Sequence, residues 1–242
     1  MRVRDFNKEL YYFLDKIKKR ENFSLSRWGD GELMILEGKY IDLRNVKNGE
    51  FRYDPKVSEY NSIRDQLIRS YEYNDIGYYI GVACSCCVGL DKYYYMKKLS
   101  KQKEENLTWA NIFVNSNYNN YIVDYSKEYM VRDIVMVVNH KANTDRLPFK
   151  IRKRFDVGVD AWNLNRNIIQ DIKAFINDND VKDNIFLIAA GPLANILTYE
   201  LWKFNKNNTY IDVGSVHDIQ MNLPPTRGYQ MGAITLQKKC VW

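Results

Sequence analysis

The chain has 242 residues and a net charge of +6, with 36 basic and 30 acidic side chains mixed along its length. That size suits one large α/β domain spanning 1–242 with ample core. Basic clusters such as Lys16–Arg20 and Lys150–Arg154 are too weak and too scattered for a nucleic-acid binder, so no nucleic acid is expected as a partner.

In chain order, residues 3–19 carry Phe6, Leu10, Phe13, Leu14 and Ile17 at helical spacing, an amphipathic helix. Phe23–Arg27 reads as a strand, and residues 31–38 as a helix ending at Gly38. Residues 39–55 read as loop, with a turn at Asn48-Gly49. Val57–Tyr71 has a helical pattern. Gly77–Ala83 is a continuous apolar run, as in a buried parallel strand. The cysteine-bearing stretch follows, then a helix over Asp91–Lys103. Thr108–Val114 is a short strand or turn, and Tyr118–Tyr129 a helix. Asp133–Asn139 is the strongest strand pattern in the chain. A polar loop covers 140–150, a short strand Arg154–Val159 and a helix Leu164–Asn177. Asn184–Ala190 is another buried strand and runs straight into a helix over 192–204. Tyr210–Val213 is the last strand, and 215–235 an irregular segment wrapping the site.

Strands alternate with helices at intervals too long for hairpins. The expected fold class is therefore α/β and Rossmann-like, a mostly parallel sheet with helices on both faces. Ligands of such sheets bind beyond the carboxyl ends of the strands. That rule collects Arg27–Glu32, Cys84–Cys87, Asn139–Asn143, Ala190–Pro192 and Gly214–Asp218 on one edge.

Arg27-Trp28-Gly29-Asp30-Gly31-Glu32 holds two carboxylates two residues apart, with a glycine before each. Two hard oxygen ligands on a tight turn suit Mn²⁺ or Mg²⁺ carrying a diphosphate. The plainer alternative is a helix start, with Asp30 as cap and Glu32 as first-turn charge. Gly191-Pro192 opens a helix whose amides can hold phosphate, or is simply a close strand–helix turn. Asp212 lies in an apolar strand, where a carboxylate is costly unless paired or ligating. His217 and Asp218 follow it, and any of the three could take a proton from an acceptor hydroxyl; a structural hydrogen bond is the competing role for His217. Asn111–Tyr118 offers amides and aromatics to a sugar or base. Arg27, Lys141 and Arg152 are cations able to neutralise a diphosphate.

Four cysteines are present, three of them at 84, 86 and 87 and one at 240. Neither the two histidines nor the spacing matches a zinc signature, so reduced cysteines packed at a strand end are expected. No apolar run approaches a membrane span, and the charged N-terminus lacks a signal core, so no transmembrane segment and a cytoplasmic location are expected.

Three stretches together resemble the GT-D-type glycosyltransferases. Ser26–Glu32 resembles that family's "ARFGDGE" signature, Ala189–Leu197 its "LGPTAKVLA" segment and Tyr210–Gly214 its "AIDIGH" strand, in the same order. The resemblance implies a Rossmann-like enzyme that moves a sugar from a nucleotide-diphosphate donor, a UDP-sugar foremost, to a glycan or glycoprotein acceptor. It implies a role for Asp30 and Glu32 in holding a divalent metal and the donor diphosphate; Arg27, Gly29, Gly31, Gly191 and Pro192 are the further donor contacts expected around them. Where the family has histidine after the glycine of "DIG", this chain has Ser215, with His217 two residues on. A metal-dependent phosphohydrolase or nucleotidyltransferase, and a non-catalytic nucleotide- or glycan-binding module, are the alternatives on the same architecture.

Overall fold

The computed structural model describes residues 4–45, 51–232 and 234–242. The Asn48-Gly49 turn lies outside the described residues. Seven strands form one sheet: β1 (Ser24–Trp28), β4 (Tyr78–Val82), β5 (Leu107–Trp109), β6 (Ile134–Asn139), β7 (Ile151–Val157), β8 (Ile185–Ile188) and β9 (Thr209–Asp212). Their order is β5-β4-β1-β9-β8-β6-β7, and every pairing is parallel. Two further strands, β2 (Ile41–Asp42) and β3 (Arg52–Tyr53), make a small antiparallel pair inside the stretch expected to be loop. Two residues each are too few to show an alternating pattern.

Alternation along the strands divides the core. Trp28, Tyr78, Ile80, Val135, Val137, Phe186, Ile188 and Tyr210 face one side. They pack under α2 (Asp30–Leu36), α3 (Ser58–Glu72), α5 (Leu90–Ser100), α9 (Ile168–Asp178) and α10 (Pro192–Phe204). Leu25, Tyr79, Ile134, Met136, Leu187 and Ile211 face the other side. There they meet α1 (Phe6–Lys18) and the helical stretch 118–129, which is built from α6 (Tyr118–Asn120), a π segment (Tyr121–Tyr125) and α7 (Ser126–Tyr129). The remaining short helices are α4 (Ser85–Val88) and α8 (Ala161–Leu164).

Two expected boundaries moved. The helix expected over 164–177 is split, because Asn165, Arg166 and Asn167 separate α8 from α9. β7 starts at Ile151 rather than Arg154; as an exposed edge strand carrying Arg152, Lys153 and Arg154 it has the composition of a loop.

The chain leaves β1 outward through β4 to β5, crosses over, and returns through β6, β7 and β8 to β9 beside β1. The order reverses at the β1–β9 seam, so the crevice such sheets offer to ligands opens at the carboxyl ends of these two strands.

Candidate active site

A cleft of about 1080 Å³ lies at this switch point. Its walls include Arg27, Gly29, Asp30 and Glu32 after β1, Ala189–Gly191 after β8, and Asp212, Gly214, Ser215 and Asp218 at and after β9. Asn111 and Asn115 after β5, Lys141 after β6 and Arg227 and Tyr229 from the C-terminal segment complete it.

The turn after β1 is a helix start with a division of roles. Gly29 is the N-cap, and its N–H donates to Glu32 Oε2 at 3.0 Å, which satisfies a donor the helix leaves open. Asp30 is the first helical residue and is exposed at the cleft. Glu32 thus caps the Gly29 amide, while Asp30 Oδ1 accepts from the neighbouring Gly31 N–H at 3.1 Å. Gly31 is off the cleft wall; a Cβ there would stand 3.0 Å from the Phe51 ring, so its glycine makes room for that aromatic. Phe51 is buried, lines the cleft, and also approaches Gly191. Nothing in the sequence marks it, because it sits in a stretch with no periodicity.

Arg27 ties three strand ends together. Its Nε donates to the Asp212 carbonyl at 2.6 Å and its Nη1 to the Ala110 carbonyl at 2.9 Å, while Nη2 stands 3.6 Å from Asp212 Oδ1. The Asp212 carboxylate accepts from the backbone N–H of Arg27 at 3.2 Å and of Gly214 at 3.0 Å. Burial pushes the Asp212 carboxyl above its ordinary range, against the pull of the Arg27 charge and these two N–H groups. Gly214 has φ +52°, and a Cβ on it would run into the Arg27 guanidinium. Asn195 on α10 donates to the Ser26 hydroxyl at 3.0 Å and to the Arg27 carbonyl at 2.9 Å. The Ala189–Leu197 segment thus braces the Ser26–Glu32 turn.

The other expected residues divide. Gly191, with φ +55° at the α10 N-cap, lines the cleft, whereas Pro192 is buried in the first turn behind it. Asp218 is buried and lines the cleft. His217 is buried away from the cleft wall. Its Nε2 pairs with the Tyr121 hydroxyl at 3.0 Å and its Nδ1 with Gln220 Oε1 at 2.6 Å, under the Phe149 ring. Burial pushes its pKa down to about 4. Lys141 reaches the cleft, but Arg152 does not; it bonds Asp133 and Asn184 at the opposite end of the strands. Cys84–Cys87 follow β4 on the same edge, outside the cleft lining.

Among the described residues, Asp30 and Glu32 belong to no group of three or more His, Cys, Asp or Glu side chains that could hold an ion. Two carboxylates without a cage fit Mg²⁺ or Mn²⁺ shared with substrate phosphates, because Mg²⁺ is commonly held by one or two carboxylates plus phosphates and water.

A seven-stranded parallel sheet with helices on both faces and a cleft at its switch point defines a doubly wound α/β architecture. No known protein-family profile matches the sequence, and no curated protein matches it. Two solved structures do match in fold. One is domain of unknown function 1792, described as having a distinct glycosyltransferase fold, with a TM-score of 0.60 and 15% identity over 93% of this chain and 81% of that one. The other, a selenomethionine-substituted structure of domain of unknown function 1792, gives 0.60 and 16% over the same shares. The chain shares the fold of that domain.

Proposed function

We propose that the chain is a metal-dependent glycosyltransferase that uses a nucleotide-diphosphate sugar, a UDP-sugar foremost, and transfers its sugar to a glycan hydroxyl. One observation carries the reading: Asp30, Glu32, Gly191 and the Arg27–Asp212 pair wall a single cleft at the switch point of a glycosyltransferase fold. Asp30 and Glu32 hold Mn²⁺ or Mg²⁺ together with the donor phosphates. When bound, the ion supplies Lewis-acid stabilisation of the departing nucleotide diphosphate. Lys141 and Arg227 on the cleft wall offset the remaining phosphate charge. Asn111, Asn115 and Ser215 offer hydrogen bonds to sugar hydroxyls.

Arg27 acts as a fixed brace, since its guanidinium already binds two carbonyls and faces Asp212. Asp212 is engaged by the same contacts. Asp218, a carboxylate on the cleft wall, takes the proton of the acceptor hydroxyl in this reading. His217, pinned between Tyr121 and Gln220, serves the wall behind it.

The test separates charge from folding. Glu32→Gln keeps an oxygen for the Gly29 N–H, and Asp30 is exposed, so Asp30→Asn and Glu32→Gln leave thermal stability nearly unchanged. Each lowers sugar transfer at least tenfold. Both also abolish the Mn²⁺-dependent rise in Tm given by nucleotide sugars. Full transfer by both variants would sink the metal assignment, and release of free sugar regardless of acceptor would replace transfer by hydrolysis.

A further inference from the structure

Three cysteines close together in sequence meet the remote Cys240 in space. Cys84 follows β4 as the N-cap of the one-turn helix α4, which carries Cys86 and Cys87. The C-terminal segment returns to the same point and delivers Cys240. All four Sγ atoms lie within 4.8 Å of one another, with Cys84 and Cys86 at 3.2 Å. All four are free thiols.

The surroundings suit thiolates. Asn111 Nδ2 donates to Cys87 Sγ at 3.2 Å, and Asn115 Nδ2 to Cys240 Sγ at 3.4 Å. Lys238 Nζ donates to Cys87 Sγ at 3.1 Å and brings a positive charge. Amide and ammonium donors aimed at sulfur are the outer contacts that orient metal-bound thiolates and offset their charge. Four sulfurs around one zinc at about 2.3 Å stand about 3.8 Å apart in a tetrahedron, which these positions reach by shifts of about 1 Å. The tight spacing suits one ion rather than a multi-iron cluster, and an all-sulfur tetrahedron fits zinc.

We propose that Cys84, Cys86, Cys87 and Cys240 form a structural tetrathiolate zinc site that clamps the C-terminal tail to the end of β4. Binding replaces the four thiol protons by one ion and releases them to solvent. The clamp acts with an aromatic pin: Trp242 packs on Trp109 at 5.0 Å and on Tyr93 at 5.6 Å. Asn111 and Asn115 also line the cleft, so the ion fixes one wall of it from behind. The site lies outside the Asp30–Glu32 turn, and zinc there plays no part in the transfer step.

The experiment uses the purified full chain. Elemental analysis is expected to give one zinc per chain. After removal of the ion under reductant, one equivalent of Co²⁺ is expected to give thiolate-to-cobalt charge transfer and the d–d bands of a tetrahedral all-sulfur site. Alkylation should then modify no cysteine in the loaded chain and four in the stripped chain. Cys87→Ser should lower Co²⁺ affinity at least a hundredfold, and Lys238→Ala about tenfold, as outer contacts do. Because the wild-type titration stands alone, a misfolded variant leaves the result readable. Four reactive thiols in the zinc-treated chain with no cobalt spectrum overturn the proposal, as does a disulfide among these cysteines in chain purified without reductant.

Discussion

Gly214 and Arg27 are a matched pair. The left-handed backbone at Gly214 is costly for any residue with a Cβ, and that Cβ would occupy the place of the guanidinium. Gly214→Ala is expected to cost about 1–3 kcal/mol from the backbone alone, with donor binding weakened as Arg27 is pushed off the Asp212 and Ala110 carbonyls. Urea unfolding and calorimetry with a nucleotide sugar read the two losses separately; an unchanged unfolding midpoint would contradict the contact. His217 gives a pH signature. Its folded pKa of about 4 lies below the ordinary 6.5, because burial disfavours the charged ring. The unfolded chain therefore takes up the proton first on acidification. This contribution is fully present above about pH 6.5 and is lost as pH falls toward 4, by up to about 3 kcal/mol. His217→Gln should flatten that part of the stability–pH curve relative to wild type, and a parallel curve would remove His217 as its source.

At the level of elements, α10 does more than cover the sheet. Asn195, buried on its inner face, holds the end of β1 through the Ser26 hydroxyl and the Arg27 carbonyl. Asn195→Ala should cost about 1–3 kcal/mol, since it leaves a buried carbonyl short of a donor. The same variant should speed hydrogen exchange in β1 more than in β6; equal exchange in both strands would argue against a local brace. The strands that were legible in sequence are the buried ones. Ile134–Val138 and Ile185–Ile188 are apolar throughout because helices cover both faces. β7 was legible only in part, since its exposed residues read as loop, and β2 and β3 were too short to read. The Asp30–Glu32 turn was legible because two carboxylates and two glycines crowd six residues. The Cys84–Cys240 meeting was not, because spacing rules look for local pairs and this one is closed by the fold.

At the scale of the whole molecule, the cleft is assembled from the ends of six strands and the segment after the last one. That segment is held by Ser215, whose hydroxyl pairs with the Tyr229 hydroxyl at 3.1 Å and whose carbonyl accepts from Gln230 at 2.6 Å. No helix among the described residues is long and apolar enough to cross a membrane. Polar contacts of this kind report no sequence pattern, so Phe51, Tyr229 and Gln230 emerge only from the folded chain.

The β1–β9 seam has a kinetic consequence. β1 is the first strand synthesised and β9 the last, yet they are neighbours at the centre of the sheet. On a ribosome, β1 can join β4 early, but its other edge waits until β9 has emerged. The Arg27–Asp212 contacts span that seam, so the floor of the cleft closes only after β9 has joined β1. Pairings so far apart in sequence slow folding, and refolding is expected in the range of milliseconds to seconds. Pulsed hydrogen exchange should show the amides at the end of β1 gaining protection with the slowest phase. A nascent chain halted before β9 would expose one edge of β1 to any strand that reached it first, and chaperone dependence during synthesis is the measurable result.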